Sequence, residues 1–565
     1  MKKNILLTIL MVFVGLQVFC QDKQPNVVVV LIDNQGYYEL SRNGHPVVRT
    51  PHMDNLARTG VNFTDFNAPP FCSPSRAALL TGRYALRSGV HNTVGGVSIL
   101  HRNEKTMANM LKSAGYKTAV FGKWHMGMSH PYTPDFRGFD EHFIHGGGGV
   151  SQLEDYYGNR HIDATYTHNG QYVKSKGFST DVLFDQGIDF MKRNRENPFF
   201  CFISTPAVHF PTQLHPETGK RLKERGVTNE KFLPIWSMIE NVDDNVGRLL
   251  DYLNESGLKE NTLLFVLSDQ GVNDRGVTHR AGEGTKRGVQ YDEKHQVFCM
   301  VQYPKFTEIE PGDRSELTGI VDVLPTILDV CQLERPSNLD GESLVPLIGG
   351  PGSWDANRKL VVQCPRKRER YKWDNVSVKY KKWRLVDGKE LYNIKDDYGQ
   401  TKNVISKHPD LVNELTEVYE DFWNSLPPEK LVLSAHVLGA EEAPRTRLNG
   451  MDWYQGGHPW PQQALAKRTE QGKWKVEVAR NGQYRFELRH YPREEPRPIE
   501  AVRATVEIGG ERATIPLDVK TTHAVLELNL EKGLYDMVTT FEHPASHEGN
   551  KEWGAYYVYV DFVGK

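Results

Sequence analysis

The residues able to do chemistry fall into a few short stretches of this 565-residue chain. The densest is Cys72-Ser73-Pro74-Ser75-Arg76-Ala77-Ala78-Leu79-Leu80-Thr81-Gly82-Arg83. Ser73 and Pro74 suit the first turn of a helix, and a helix-forming run follows them. A thiol at that helix start, beside Arg76 and Arg83, would occupy an electropositive corner where anions bind and nucleophiles are activated. Two carboxylate–amide pairs, Asp33-Asn34 and Asp269-Gln270, carry oxygen donors of the kind a hard ion such as Ca²⁺ takes. Each pair is also a good turn former; two of them at two strand ends, together with the cysteine motif, favour the metal reading. Ser268-Asp269-Gln270-Gly271 offers no imidazole, which argues for one hard ion rather than two zincs. Lys123 and His125 are two residues apart, so an extended chain would project them to one side. His209 is either a packed loop residue or an acid–base group working near neutral pH. Lys286 and Arg287 supply adjacent positive charge, and the arginine suits bidentate binding of an oxyanion.

These groups need a frame, and the apolar patterning supplies one. Asn26–Ile32 is a continuous β-branched run ending at Asp33, the pattern of a strand buried on both faces of a parallel sheet. Similar runs lead from Thr262–Leu267 to Asp269, from Phe199–Ile203 towards His209, and from Lys117–Phe121 to Lys123. Polar residues just past strand C-termini are where open α/β sheets place their sites. Ile235, Ile239, Val242, Val246, Leu249 and Leu253 keep helical spacing, as do Met107, Met110, Leu111 and Ala114. The alternation predicts an α/β domain over 24–350, with a doubly wound, mostly parallel central sheet flanked by helices. Short strands at 376–378, 383–386 and 390–392, then a helix from Pro409 to Trp423, predict a smaller antiparallel α+β subdomain over 351–427. Alternating runs from Trp474 to Tyr559 predict an appended β-sandwich-like domain over 440–565.

Cys72-x-Pro74-x-Arg76 followed by Thr81-Gly82-Arg83 resembles the signature of the type I, formylglycine-dependent sulfatases of the alkaline phosphatase superfamily. The chain is similar to bacterial arylsulfatase-like members from about residue 25 to about residue 425. The resemblance implies that a maturation enzyme oxidises Cys72 to formylglycine (3-oxoalanine). One hydroxyl of the hydrated aldehyde would attack sulfur, and loss of a proton from the other would let the hemiacetal collapse and release sulfate. It also implies one calcium ion held by Asp33, Asn34, Asp269, Gln270 and residue 72. Arg76 belongs to the catalytic motif; Lys123 would bind a sulfate oxygen, His125 would assist the hydroxyl, and His209 would contact sulfate and protonate the leaving oxygen. Counting back from Tyr291, Lys286 and Arg287 jointly take the place of a family lysine. The chain departs from the family at Asn34, where Asp is common, at Gln270, where Asn or His is usual, and at Glu293-Lys294, which replaces a Gly-Gly pair.

Composition bounds the rest. Apolar residues make up 39% and charged residues 25%, which excludes a disordered or fibrous chain. With 69 Lys+Arg against 71 Asp+Glu the molecule is no basic funnel for nucleic acid, so an anion site must be a local arrangement. Six cysteines are too few for a disulfide scaffold, and Cys201, Cys299, Cys331 and Cys364 read as buried thiols. Lys2, Lys3 and the apolar run Ile5–Cys20 read as a signal peptide over 1–20, predicting export to the periplasm or medium. A lipid anchor on Cys20 is less well supported, because Gln17-Val18-Phe19 lacks the expected small residue. No later stretch has the length of a transmembrane segment. Gly146–Gly149 reads as a flexible loop, Arg366–Arg370 as a solvated run or a flank of the pocket, and Trp453, Tyr454 and Trp460 as a sugar-stacking surface or linker packing. The leading expectation is an exported sulfatase acting on sulfated carbohydrate. A phosphonate monoester hydrolase or phosphodiesterase of the same superfamily is the enzyme alternative, and a non-catalytic glycan-binding protein the alternative of another class.

Overall fold

A computed structural model of the chain describes residues 23–271, 286, 288–306, 310–428, 433–544 and 551–564. The segment 1–20 expected to be a signal peptide, with Cys20, and Arg287 lie outside the described residues.

Five strands and two helices position the site: β1 (Asn26–Ile32), α1 (Cys72–Thr81), β2 (Lys117–Lys123), β3 (Glu141–His145), β4 (Phe199–Thr205), α2 (Leu233–Glu255) and β5 (Thr262–Ser268). The central sheet runs in the order β5–β1–β4–β2–β3, all parallel. Gln296–Gln302 pairs antiparallel with β5 on one side, and Thr165–His168 pairs antiparallel with β3 on the other. The β-branched run of β1 is buried on both faces, and its residues divide between two cores. Val27, Val29 and Leu31 pack with α1, while Val28, Val30 and Ile32 pack with α2. The expected apolar face of α2, from Ile235 through Val242 to Leu253, is buried in the second core.

The second unit is a four-stranded antiparallel sheet, Lys359–Gln363, Val376–Tyr380, Trp383–Val386 and Glu390–Asn393 in that order. The helix Pro409–Asn424 lies on it through Leu415, Tyr419 and Phe422. The appended domain holds two sheets. One contains Gly472–Val478, Arg503–Ile508 and Gly533–Glu542; the other contains Arg445–Asn449, Gly482–Arg489, Ala524–Leu530 and Tyr557–Gly564. Strands such as Ala524–Leu530 alternate buried and exposed residues, so each sheet turns one face into a shared core. Its first strand, His436–Leu438, precedes residue 440.

Two open readings are decided here. Trp453 is no sugar-stacking ring: it is fully buried against Trp474 and Tyr556 in the appended core. Trp460 remains 42% exposed. The arginine run is a solvated face only in part: Arg366, Lys367 and Glu369 are exposed, whereas Arg368 and Arg370 are half-buried. Arg368 donates to the Gly456 carbonyl and His458, and Arg370 to the carbonyls of Leu86 and Pro427. Arg366 stands over the Phe71 ring at 4.7 Å, next to Cys72 in sequence.

Candidate active site

Parallel register brings the strand C-termini side by side. Ile32 lies opposite both Thr205 and Ser268, Gly122 opposite Ser204, and Lys123 opposite His145. Just beyond, Asp269 N–H donates to the Ile32 carbonyl, and Asp33 exchanges backbone hydrogen bonds with Ala207 and Val208. Asp33, Asp269 and the loop carrying His209 are therefore fixed by main chain before any side chain acts.

Cys72 opens α1, whose ten residues are all buried. Its Sγ lies 3.3 Å from Nδ1 of His125. His125 Nε2 lies 3.0 Å from the Thr93 carbonyl, which can only accept. Nε2 thus carries the proton in the neutral ring, and Nδ1 presents its lone pair to residue 72. Burial, then the Lys123 charge, hold the His125 pKa well below the usual histidine range. The ring therefore stays neutral, with its Nδ1 lone pair turned to residue 72. Burial pushes the unmodified Cys72 thiol upward despite Lys123, so as a plain thiol it would remain protonated.

Each carboxylate of the site gives one oxygen to a fixed cation. Asp33 Oδ2 pairs with Lys123 Nζ at 2.6 Å, and Asp269 Oδ2 with Arg76 Nη2 at 3.1 Å. These groups are almost wholly buried, so removing one partner would cost about 3–5 kcal/mol. Arg76 also donates to the Lys123 carbonyl and to Ser204 Oγ, tying α1 to β2 and β4. Asp269 Oδ1 accepts from Asn34 N–H, and burial with the Asp33 charge pushes its carboxyl up to about 7.

Asp33 Oδ1, Asn34 Oδ1 and Gln270 Oε1 are buried and accept no hydrogen bond among the described residues. Three such orphans at adjoining strand ends are costly unless something fills the space between them. An oxygen-only donor set with two carboxylates suits a hard divalent ion. Without it the two carboxylates balance Lys123 and Arg76; with it the site carries net positive charge, which matches an anionic ester.

The structure thus gathers Asp33, Asn34, Cys72, Arg76, Lys123, His125, Asp269 and Gln270. His209 stands at the rim, half-buried, its Nδ1 donating to the Phe210 carbonyl. Lys286 is placed differently: its ammonium is bound by Glu390 at 2.7 Å and by the Tyr392 hydroxyl at 2.6 Å, in the second unit. No described contact joins it to the cluster around Cys72.

The glycine run, expected to be a flexible loop, packs tightly. A methyl group on Gly148 would fall 2.2 Å from His125 Cε1, and one on Gly149 would fall 2.8 Å from His209 Nδ1. Two consecutive glycines therefore seat both histidines. Ser204 and the Thr93 carbonyl also belong to the site and carry no motif. Ser204 lay one residue past the apolar run that marked its strand.

A family model described as Sulfatase matches residues 25–333, and one described as N-sulphoglucosamine sulphohydrolase, C-terminal, matches 285–424. The chain is 28% identical over 450 residues to mouse steryl-sulfatase, covering 64% of this chain and 70% of that protein. It is 25% identical over 520 residues to the N-acetylglucosamine-6-O-sulfatase of Bacteroides thetaiotaomicron, covering 73% and 89%. Among solved structures, Ps i-CgsB in complex with k-i-k-neocarrahexaose superposes with a TM-score of 0.62 and 26% identity, covering 72% of this chain and 94% of that one.

Proposed function

The chain belongs to the sulfatase family and hydrolyses sulfate esters; on that premise we propose that it does so on sulfated carbohydrate, through a formylglycine at position 72 and one calcium ion, after export. The observation that carries the site assignment is the contact between Cys72 and a neutral His125 beside three orphaned buried oxygens. Formylglycine supplies, as its hydrate, a nucleophilic hydroxyl and a second hydroxyl able to expel sulfate. Asp33, Asn34, Asp269, Gln270 and residue 72 would hold the calcium ion, which would supply positive charge to the site.

The rest is done by this chain's own side chains. Nδ1 of His125 takes a proton from the group at 72, and the Thr93 carbonyl keeps the ring in the tautomer that permits it. Lys123 neutralises Asp33 and brings a cation against the anionic ester; Arg76 holds Asp269 and the ends of β2 and β4. Such fixed charges act mainly by stabilising charge that moves onto the leaving group. His209, at the rim, is the group from which the leaving oxygen takes a proton. The carbohydrate reading rests on the N-acetylglucosamine-6-O-sulfatase similarity and on the carbohydrate complex of Ps i-CgsB. Export rests on Lys2, Lys3 and the apolar run to Cys20.

The test is sulfate release from a panel of sulfated mono- and oligosaccharides, with an aryl sulfate and an aryl phosphodiester alongside and mass analysis of the residue-72 peptide. Release from a sugar, lost in Cys72→Ala, is expected. An unconverted cysteine in active enzyme would remove the formylglycine assignment. Aryl sulfate hydrolysis without release from any sugar would remove the carbohydrate reading.

A further inference from the structure

The appended domain touches the catalytic unit at several places, among them Ser129 on His436 and Asn449 on Glu154, and two of the contacts lead to His125. One is the loop that carries Thr93, whose carbonyl orients the imidazole. Gly95 N–H donates to the Met451 carbonyl at 2.7 Å, and Gly96 lies against Asp452 and Tyr454. The other is the loop that follows β3. Gly148, which presses on the His125 ring, donates its N–H to Gln152 Oε1 at 2.7 Å. Gln152 forms a bridge with Pro461, and Leu153 N–H donates to the Trp460 carbonyl at 2.9 Å.

Gln462 completes this second contact. Its Oε1 accepts from Gly158 N–H at 2.9 Å, and its Nε2 is directed at the carbonyls of Gln152, Asp155 and Tyr156 at 3.0, 3.3 and 3.3 Å. A single side chain of the appended domain thus gathers the turn 152–158 by main chain alone. Leu153 is buried in the appended domain's own core, and Tyr557 donates to its carbonyl.

We propose that the appended β-domain is a working part of the catalytic unit. Its 451–462 segment clamps the loops on both sides of His125, and Gln462 is a positioning residue that fixes the Gly148–Gly149 seat of His125 and His209. The family models end at residue 424, so this role belongs to a segment outside them. The inference rests on the catalytic assignment of His125 and His209. A freely hinged sugar-binding module would leave both loops unclamped. Here both are held by backbone hydrogen bonds, which fix position more tightly than apolar contact does.

The test uses the full, matured chain and whichever ester the wild-type enzyme turns over, so failure of the substrate reading is seen separately in the wild type. Gln462→Leu removes these hydrogen bonds while keeping most of the volume. Its kcat should fall about tenfold or more, with KM within about threefold and the pH profile of kcat displaced. Val476→Ala serves as control, because it weakens the core of the same domain and removes no hydrogen bond to either loop. It should lower the thermal midpoint while keeping the wild-type kcat and pH profile below the unfolding range. If Gln462→Leu does not fold, Gln462→Asn reads the same quantities. Wild-type kcat and pH profile in the Gln462 variants, or losses that track stability equally in both domain variants, would overturn the proposal.

Discussion

Gly148→Ala isolates the seat of His125 in one methyl group. The new carbon would lie 2.2 Å from Cε1, 2.4 Å from Nε2 and 2.6 Å from Nδ1. Carbon atoms rest about 3.5–4.0 Å apart, so ring or loop must retreat by more than about 1 Å. The ring is held at both nitrogens, 3.3 Å from Cys72 Sγ and 3.0 Å from the Thr93 carbonyl. The loop is held through Gly148 N–H on Gln152. A retreat of that size in a catalytic group costs about 10²-fold in rate, or about 2.7 kcal/mol of barrier. Overpacking adds a stability cost of about 1–3 kcal/mol. Steady-state sulfate release at 25 °C should show the loss in kcat with KM little changed, and a thermal melt should show a folded protein. A folded Gly148→Ala enzyme with kcat within about threefold of wild type would refute the reasoning, because the imidazole would then tolerate a displacement that the geometry forbids.

Other outcomes follow from the same site. Calcium added to chelator-treated protein should raise the thermal midpoint, by the equivalent of about 2.7 kcal/mol at a hundredfold excess over Kd. Gln270→Leu should shrink that gain, and an unmoved melt in the wild type would contradict the ion assignment. Acid should destabilise the fold through histidines buried as neutral rings. Burial lowers His91, His161, His436 and His490 to about 4 and His145 to about 3, while their unfolded forms titrate near 6.5. The unfolded chain binds protons first, so stability is intact above about pH 6.5 and falls below it by about 1.4 kcal/mol per unit for each such ring. Denaturant midpoints from pH 7 to pH 4.5 read this, and a flat profile would count against it. Lys286→Met should leave kcat/KM within about threefold and cost at most about 1 kcal/mol, since its partner is the partly exposed Glu390. A hundredfold kinetic loss would show instead that Lys286 reaches the substrate.

Much of the site was legible because buried parallel strands announce themselves. The run Asn26–Ile32 ends on Asp33, Thr262–Ser268 on Asp269 and Lys117–Lys123 on its own lysine, so strand ends and chemistry coincided in the sequence. The tautomer of His125 was not legible, because it depends on the Thr93 carbonyl, a main-chain atom 32 residues away. Gly148 and Gly149 gave a loop signal but no hint of what lies against them, since close approach is a property of the neighbour. Arg368 and Arg370 looked solvated because a charge run carries no mark of the backbone carbonyls that bind it. Trp453 shows the opposite limit: aromatic residues near glycines are compatible with a binding surface or a core, and only packing against Trp474 and Tyr556 decides.

The enclosure of α1 bears on when position 72 can be chemically altered. Cys72 is 4% exposed, and the helix it opens is buried along its whole length. A second protein would have to grip several residues on either side of the thiol, and the finished fold presents none of α1 to grip. A protein that acts on this residue would therefore reach it before α1 is enclosed. On the proposed formylglycine mechanism, the activity of a preparation would then be decided by the host in which the chain is made, and treating the folded protein afterwards would leave a cysteine in place.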